Sequence, residues 1–197
     1  AAYAGVSPKT VSRVINGDAP VSDKTRAKVE TAIAALGYIP SSAARVMRSN
    51  RSDLVGLITG AISRTGEHSG VHGLPDMFLI KGIQQKIREA GKTLMIADTD
   101  NRYEQIDPLV RTFMEHRAEG ILYVTESHRE IVLPEMPNRC PMVLVNCFDA
   151  AGTPSVLPDD ERGQYDLVRN IIRHGHRRIA YITLQAGAEA TRLRLAG

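Results

Sequence analysis

The sequence predicts a small all-α helix-turn-helix headpiece followed by an α/β unit with a doubly wound parallel sheet. Two patterns predict this: two short helix patterns meet at a glycine turn near the start, and apolar strands alternate with amphipathic helices from Leu54 onward. The length of 197 residues also suits one small module and part of a larger one.

The helix-turn-helix is predicted from its capping residues. Residues 1–4 resemble the last turn of a helix, which Gly5 ends by adopting left-handed geometry. Ser7 suits the N-cap of the next helix and Pro8 its first position, and apolar residues then recur at helical spacing. The polar side of this helix, which can face DNA, is formed by Lys9, Thr10, Ser12, Arg13 and Asn16.

A third helix is predicted from Asp23 to Leu36, with Ser22 as its N-cap and Gly37 as its end. Residues 38–40 form an extended connector, because a residue before proline avoids helical geometry. Residues 41–49 form at most two helical turns, which are too short to be stable alone, so we expect them to order on binding. The side that we expect to cover the first two helices contains Ala27, Val29, Ala32, Ile33 and Leu36.

The α/β unit is predicted from uninterrupted apolar strands, which are typical of a parallel sheet covered on both faces. We expect strands at residues 54–58, 93–97, 120–124, 142–145 and 178–182, and helices at about 77–90, 102–116 and 164–174. The last helical pattern runs to Gly197, so we expect that the sheet is incomplete and that the sequence is a fragment shortened at both ends.

Composition and charge limit the function classes. Hydrophobic residues (43%) and charged residues (24%) indicate a packed core. No apolar run is long enough to span a bilayer and the start lacks a signal-peptide layout, so we expect a cytoplasmic protein with no membrane partner, unless a leader precedes the sequence. Residues 1–52 hold eight basic and three acidic side chains, a net +5, whereas the whole chain has +3 and the remainder −2. This asymmetry predicts a polyanionic partner for the amino-terminal part.

We expect no metal site, no cofactor and no disulfide. Cys140 and Cys147 are too far apart for a CxxC site and lack a nearby histidine cluster, so we interpret them as buried thiols. His68 and His72 are four residues apart, but within a glycine-rich segment that is weak evidence for a metal site.

Several motifs, in order along nearly the whole chain, resemble the LacI-GalR family of bacterial repressors. They are AGVSPKTVSRVING, VSDKTRAKVETAIAALGYIP, SSAARVMRS, LVGLI, KGIQ, HRAEGIL and GHRRIAYI. The resemblance implies a DNA-binding headpiece (residues 1–40), a hinge (41–52) and a sensor like the periplasmic binding proteins (53–197), whose second lobe begins near residue 159. The family has, and this sequence lacks, most of the first headpiece helix and the larger part of the second lobe.

The resemblance also implies how this chain would bind double-stranded operator DNA. The helix from Ser7 to Asn16 would lie in the major groove, where Pro8, Lys9 and Arg13 reach base edges and Lys and Arg suit guanine O6 and N7. In the hinge, Ala44, Met47 and Arg48 would lie in the minor groove, and Met47, where the family has leucine, would wedge a base step. The alternative is that Met47 packs against the sensor. Positions that match phosphate contacts are Thr10, Ser12, Asn16, Ser22 and Thr25.

An effector, a sugar or a related polyol, would bind beyond the carboxyl ends of the sensor strands. The effector residues that we expect there are Thr59, Asp98, Asn146 and Asp159, of which Asn146 matches a family position that often contacts effector. For the acidic residues, the alternative to effector binding is that they cap the N-termini of helices. For Asp100 and Asp160, effector binding and helix capping have equal weight. The segment 63–75 is longer than the corresponding segment usually is in the family, and it could cover the cleft as a lid.

The leading hypothesis is therefore a repressor that forms a homodimer, or a tetramer, and whose effector changes the lobe orientation and thereby the order of the hinge. The first alternative is a sugar-binding protein without a DNA-binding role, which would need an export signal. The second is an enzyme, but the sequence has no nucleophile elbow, no phosphate-binding GxxxxGK loop and no metal triad. We therefore expect no enzyme.

Overall fold

The computed structural model describes residues 1–17, 20–39, 51–60, 62, 75–100, 102–135 and 140–197; for residues 75–77 it describes the backbone. The chain divides into two compact units, residues 1–51 and 52–197, which are described separately.

The first unit contains helices α1 (Pro8–Asn16) and α2 (Asp23–Leu36). Both begin and end where the capping residues predict. The side-chain oxygens of Ser7 and Ser22 each accept a hydrogen bond from a backbone N–H three residues later, and Gly17 and Gly37 end the helices with φ values of 71° and 56°. A left-handed backbone strains other residues but not glycine, so the local sequence fixes both helix ends.

The side of α2 that packs was predicted only in part. Val29 and Ala32 are buried and Ile33 is half-buried, but the prediction was wrong for Ala27 and Leu36, both of which are exposed. Ala27 lies about 200° around the helix from the buried Val29, on another side of α2. Leu36 is the last residue of α2, beyond the buried positions.

Within the described part of the second unit, the strands form one parallel sheet in the order β2-β1-β3-β4-β5. The elements in chain order are β1 (Leu54–Thr59), α3 (Pro75–Glu89), β2 (Thr93–Asp98), a 3-10 turn (Tyr103–Gln105), α4 (Ile106–Glu115), β3 (Gly120–Ile131), β4 (Met142–Asp149), β5 (Ser155–Val156), α5 (Asp160–Arg173) and α6 (Glu189–Ala196).

Helices cover both faces of the sheet. Leu57 packs with Ile80 of α3 on one face, whereas its neighbour Ile58 packs with Ile106 and Phe113 of α4 on the other. Successive side chains of a strand point to opposite faces, so a strand of consecutive apolar residues serves both clusters. The predicted all-α headpiece and doubly wound parallel sheet are both present.

Three strand predictions need correction. β3 and β4 continue to Ile131 and Asp149, beyond the predicted ends at residues 124 and 145, and the short strand β5 was missed. The strand predicted at residues 178–182 is wrong, because this segment is not in a strand and Ile182 is 95% exposed. A strand needs a hydrogen-bonded neighbour, and in the described residues the sheet ends at β5 without reaching this segment.

Candidate DNA-binding face and effector cavities

The polar side of α1 is a solvent-facing surface in the first unit. Lys9, Ser12, Arg13 and Asn16 are exposed, whereas Val14 on the opposite side is 8% exposed. No acidic residue occupies the first turn of the helix. Among the described residues, neither Lys9 nor Arg13 has a carboxylate partner, so both charges are available for an external anion.

The hydroxyl and amide groups of this face are already arranged by short-range hydrogen bonds. The Ser7 and Thr10 hydroxyl oxygens lie 2.9 Å apart, and the Asn16 Nδ2 donates to the Ser12 carbonyl at 2.6 Å. The start of α2 repeats the first arrangement, with the Ser22 and Thr25 hydroxyl oxygens also 2.9 Å apart. Such groups are held in fixed positions while keeping further hydrogen-bonding capacity, because a hydroxyl has one donor and two acceptor sites.

The predicted DNA-contacting residues are thus placed as follows. Ser7, Pro8, Lys9, Ser12, Arg13, Asn16 and Ser22 are exposed, and Thr10 and Thr25 are half-buried. The hinge residues Ala44, Met47 and Arg48 lie outside the described residues.

Two cavities lie at the carboxyl edge of the sheet in the second unit. The larger, about 1290 Å³, has Asn146, Phe148, Asp160 and Arg194 among its lining residues. The smaller, about 460 Å³, opens where β1, β2 and β3 end, and Thr99 and Tyr103 line it. The β3 segment 126–130 separates the cavities, since Glu126, Arg129 and Glu130 line both.

Asn146 lies inside β4, between the residues paired with Val124 and Arg129 of β3 where the register shifts, and it is fixed there by an unusual backbone conformation and by its side chain. Its φ is 61°, a left-handed value that asparagine tolerates better than most residues. The Asn146 Nδ2 donates to the Thr125 carbonyl at 3.0 Å, and the Thr125 hydroxyl donates back to the Asn146 carbonyl at 2.9 Å. The amide is therefore preorganised at the wall of the larger cavity.

A buried charged cluster forms another part of that wall. Asp160, at the first turn of α5, accepts a hydrogen bond from Arg194 Nε at 2.7 Å and lies 3.0 Å from His128 Nδ1. The His128 and Asp160 side chains are only 5% and 4% exposed. The ring of Phe148 meets the His128 ring edge to face at 5.8 Å. This cluster joins β3, β4, α5 and α6 around the cavity.

Of the four predicted effector residues, the structure places only Asn146 in the lining of either of these two cavities. Thr59 is buried and its carbonyl accepts from the Thr99 N–H at 2.8 Å. The Asp98 carboxylate accepts from the backbone N–H groups of Ile62 and Asp100, each at 2.7 Å. Asp159 is the N-cap of α5.

The comparisons with known proteins agree with both units. Residues 1–41 match "Bacterial regulatory proteins, lacI family", and residues 77–197 match "Periplasmic binding proteins and sugar binding domain of LacI family". The ribose operon repressor of Escherichia coli (strain K12) is 33% identical, with 100% of this chain and 58% of the repressor covered. The chain belongs to the LacI family.

Two solved LacI-family structures support the same assignment. A LacI-family transcriptional regulator from Rhizobium etli is 37% identical with a TM-score of 0.62, over 74% of this chain and 50% of that one. The lac repressor dimer bound to operator and the anti-inducer ONPF is 25% identical with a TM-score of 0.71, over 100% of this chain and 58% of that one. The chain thus spans a little over half the length of its LacI-family relatives.

Sequence reasoning missed His128 and Arg194 as residues that line a cavity of this LacI-family chain. His128 lies in the part of β3 beyond the predicted strand end, and Arg194 lies in a helix without an assigned role. Residues 126–130 read ESHRE and lack the apolar–polar alternation of a half-buried strand, so the sequence contains no signal that extends β3 to His128.

Both cysteines are free thiols, but only Cys147 is buried as predicted, whereas Cys140 is half-buried. Burial raises the pKa of both thiols, which keeps them protonated. Within the described part of the chain, no three His, Cys, Asp or Glu side chains are grouped to hold a metal ion. Nor does any helix there combine the length and apolar composition needed to cross a membrane.

Proposed function

We propose that this LacI-family chain is part of a transcriptional repressor that binds operator DNA through α1 and is controlled by a small sugar-like effector. The observation that carries the proposal is the exposed polar side of α1, with Lys9 and Arg13 available for an anion. The lac repressor, a relative of known structure, is seen bound to operator.

On DNA, α1 lies in the major groove with its amino-terminal residues toward the bases. Lys9 and Arg13 donate to guanine O6 and N7, and Pro8 contributes apolar contact. Thr10, Ser12, Asn16, Ser22 and Thr25 hold phosphates, which fixes the register without reading sequence, and Ser7 belongs to the DNA-binding face as the N-cap of α1. The capped geometry supports this role because the hydroxyl positions are set before DNA arrives.

The hinge and the assembly complete the DNA-binding form. Ala44, Met47 and Arg48 lie in the minor groove, where Met47 wedges a base step together with its counterpart from a second subunit. The protein acts as a homodimer, or a tetramer, because two hinges must meet at the operator centre. We assign residues 1–40 to the headpiece, 41–52 to the hinge and 53–197 to the sensor, with the second lobe starting near residue 159.

The effector occupies the larger cavity at the carboxyl edge of the sheet. Asn146, His128, Asp160 and Arg194 offer polar groups to sugar hydroxyls, and Phe148 offers an aromatic surface to the apolar faces of a sugar ring. Thr59 and Asp98 hold backbone groups at the ends of β1 and β2, and Asp159 caps α5, so these three residues contact effector if the edge rearranges on binding. The family match to a sugar-binding domain supports this ligand class.

The protein works in the cytoplasm, where operator DNA is, and has no catalytic role. Its relatives are named repressors rather than enzymes. A sugar-binding protein without a DNA-binding role is the alternative, and the DNA experiment below decides between the two.

The test begins with the selection of a duplex from a random-sequence DNA pool on the 197-residue chain, followed by fluorescence anisotropy. We expect Arg13→Ala and Lys9→Ala to weaken binding about tenfold or more, since a good base contact is worth about 1–3 kcal/mol. Arg88→Ala, which removes the same charge from α3, serves as the control and leaves affinity unchanged. Failure to enrich any duplex, or wild-type affinity in both headpiece variants, would reject the proposal.

A further inference from the structure

Asn16 and Gly17 form the single Asn-Gly pair of the sequence. Asparagine is a chemically labile residue, because the backbone nitrogen of the next residue can attack its side-chain carbonyl carbon. A side chain on that next residue hinders the attack, and glycine has none. The other five asparagines are followed by arginine, cysteine or isoleucine. Asn16 is therefore the asparagine at which this reaction meets the least steric hindrance.

The pair lies at the open end of α1, where water reaches it. Asn16 is the last residue of the helix, and Gly17, its C-cap, has a φ of 71°. Both residues are exposed, and a Cβ atom placed on Gly17 would meet nothing within 4 Å. Neighbouring atoms therefore do not obstruct the rotation that ring closure requires, and water is available to complete the reaction.

Both reacting groups are held in place by the last turn of the helix. The attacking nitrogen, Gly17 N, donates to the Arg13 carbonyl at 2.9 Å. The leaving group, Asn16 Nδ2, donates to the Ser12 carbonyl at 2.6 Å and to the Ser12 hydroxyl oxygen at 3.1 Å. These bonds run to neighbouring carbonyls of one turn, so opening of that turn releases both groups. Helix ends open at a much lower free energy than the whole fold.

We propose that Asn16 is a deamidation site and that opening of the last turn of α1 controls the rate of the reaction. Gly17 N loses its proton and bonds to Asn16 Cγ, the bond between Cγ and Nδ2 breaks, and the side-chain amide leaves as ammonia, which carries that proton away. Water then adds to either carbonyl of the resulting succinimide ring and breaks the bond from that carbonyl to the ring nitrogen. The products are aspartate and isoaspartate. Neither step needs an oxidant or a co-reactant other than water.

The reaction replaces a hydrogen-bond donor on the polar side of α1 by a carboxylate. Under the proposed function, Asn16 holds a phosphate, so the effect on DNA binding rests on that function, whereas the reaction itself does not. The new negative charge repels the phosphate backbone of DNA. Isoaspartate also adds a methylene group to the main chain at the end of the helix. Deamidation therefore weakens DNA binding without a change elsewhere in the chain.

The test is peptide mapping by mass spectrometry after the 197-residue chain has aged at mildly alkaline pH in water enriched in a heavy oxygen isotope. We expect Asn16 to convert first, to take up oxygen from the solvent, and to give two products that separate by chromatography. Asn146 in β4 and Asn170 in α5 are internal controls that we expect to stay intact. If Asn16 stays intact, or if either control converts as fast, the proposal is wrong.

Rate comparisons test the control by the last turn. The chain unfolded in urea should convert faster than the folded chain, because both hydrogen bonds are then absent. Ser12→Gly should convert about two- to fivefold faster than Ser12→Ala, since glycine weakens a helix relative to alanine. Glu30→Gly and Glu30→Ala make the same comparison at an exposed position of α2, and their rates should differ less. Equal acceleration in both pairs would show that Asn16 reacts through unfolding of both helices and would overturn the control by the last turn.

Fluorescence anisotropy on the selected duplex tests the effect on DNA binding separately. The wild type should lose affinity in proportion to the converted fraction, whereas Asn16→Gln should bind equally before and after ageing, because its longer side chain closes a ring far more slowly. A converted wild type that keeps its full affinity would contradict this effect. A fresh chain that binds no duplex would reject the proposed function, and the mass-spectrometric rates would still decide whether Asn16 is a deamidation site.

Discussion

His128 Nδ1 and Asp160 Oδ2 lie 3.0 Å apart in the interior of the second unit, although 32 residues separate them in the sequence. Their side chains are almost fully buried, and the second carboxylate oxygen of Asp160 accepts from Arg194 at 2.7 Å. One carboxylate thus satisfies donors from β3 and α6 at once. Because the buried His128 ring and the partly exposed Arg194 guanidinium both pair with it, Asp160 holds this part of the wall of the larger cavity together.

Asp160→Ala should lower the free energy of unfolding by about 3 kcal/mol, because it leaves two donors without a buried partner. Urea denaturation followed by circular dichroism measures this. The matched control is Asp166→Ala, also on α5, which breaks an exposed pair with Arg162 and should cost less than about 1 kcal/mol. Equal losses in the two variants would show that the buried cluster adds nothing to stability.

Gly56→Ala should destabilise the second unit by about 1–3 kcal/mol, the usual cost of overpacking a core. A Cβ atom at Gly56 would lie 2.7 Å from Cδ2 of Phe113, a buried ring that has no room to withdraw. Gly82→Ala on α3 is the control with the opposite sign. A Cβ there meets nothing within 4 Å, and alanine in a helix should stabilise by about 0.5–1 kcal/mol. Thermal melts compare the two, and a loss of stability in both would contradict the packing described.

Asn146→Gly and Asn146→Ala should differ in stability although both remove the amide. The φ of 61° suits glycine, whereas alanine there costs about 1–2 kcal/mol. In a thermal-shift screen against sugars, a bound sugar should raise the melting temperature of the wild type but not that of either variant. A sugar that raises the melting temperature of Asn146→Gly as much as that of the wild type would show that this amide does not contact effector.

Asp149→Asn should reduce stability at neutral pH but much less in acid. Burial acts to raise the pKa of Asp149, but hydrogen bonds from Thr153, Gly152 and Ala151 outweigh it and hold the pKa below its usual value. A lowered pKa in the folded state stabilises the fold above the unfolded value and loses that effect as pH falls through the folded one.

Urea denaturation of the wild type and Asp149→Asn at pH 7 and below about pH 4 measures this difference. Thr153→Val removes the hydroxyl that donates to Asp149 at 2.6 Å, and it should reproduce the same pH dependence in weaker form. A stability difference that is independent of pH would contradict the role given to these hydrogen bonds.

The headpiece helices could be predicted to the residue because their ends are decided locally. Ser7 and Ser22 cap backbone groups three residues away, and Gly17 and Gly37 provide the left-handed ends. The central strands could be predicted for a similar reason, since each is a short apolar run. The βαβ rule accounts for the parallel direction of these strands, but it does not by itself fix the order β2-β1-β3-β4-β5.

The remaining features depend on contacts between distant parts of the chain. The strand predicted at residues 178–182 has the right composition but no neighbouring strand in the described residues, and composition alone cannot provide one. Asn146 could be predicted because it directly follows the apolar run at residues 142–145, although β4 itself continues to Asp149. His128 and Arg194 could not, because only folding brings β3 and α6 to the same carboxylate.

The central claim is that the polar side of α1 meets the major groove of DNA, and dimethyl sulfate footprinting tests it most directly. The reagent methylates guanine N7, the major-groove atom that Lys9 and Arg13 are expected to contact. On the selected duplex, the wild-type chain and Arg88→Ala should protect the same guanines, and Arg13→Ala or Lys9→Ala should lose at least one of them. A chain that binds this duplex without protecting any guanine N7, or with the same protection in both headpiece variants, would contradict the account.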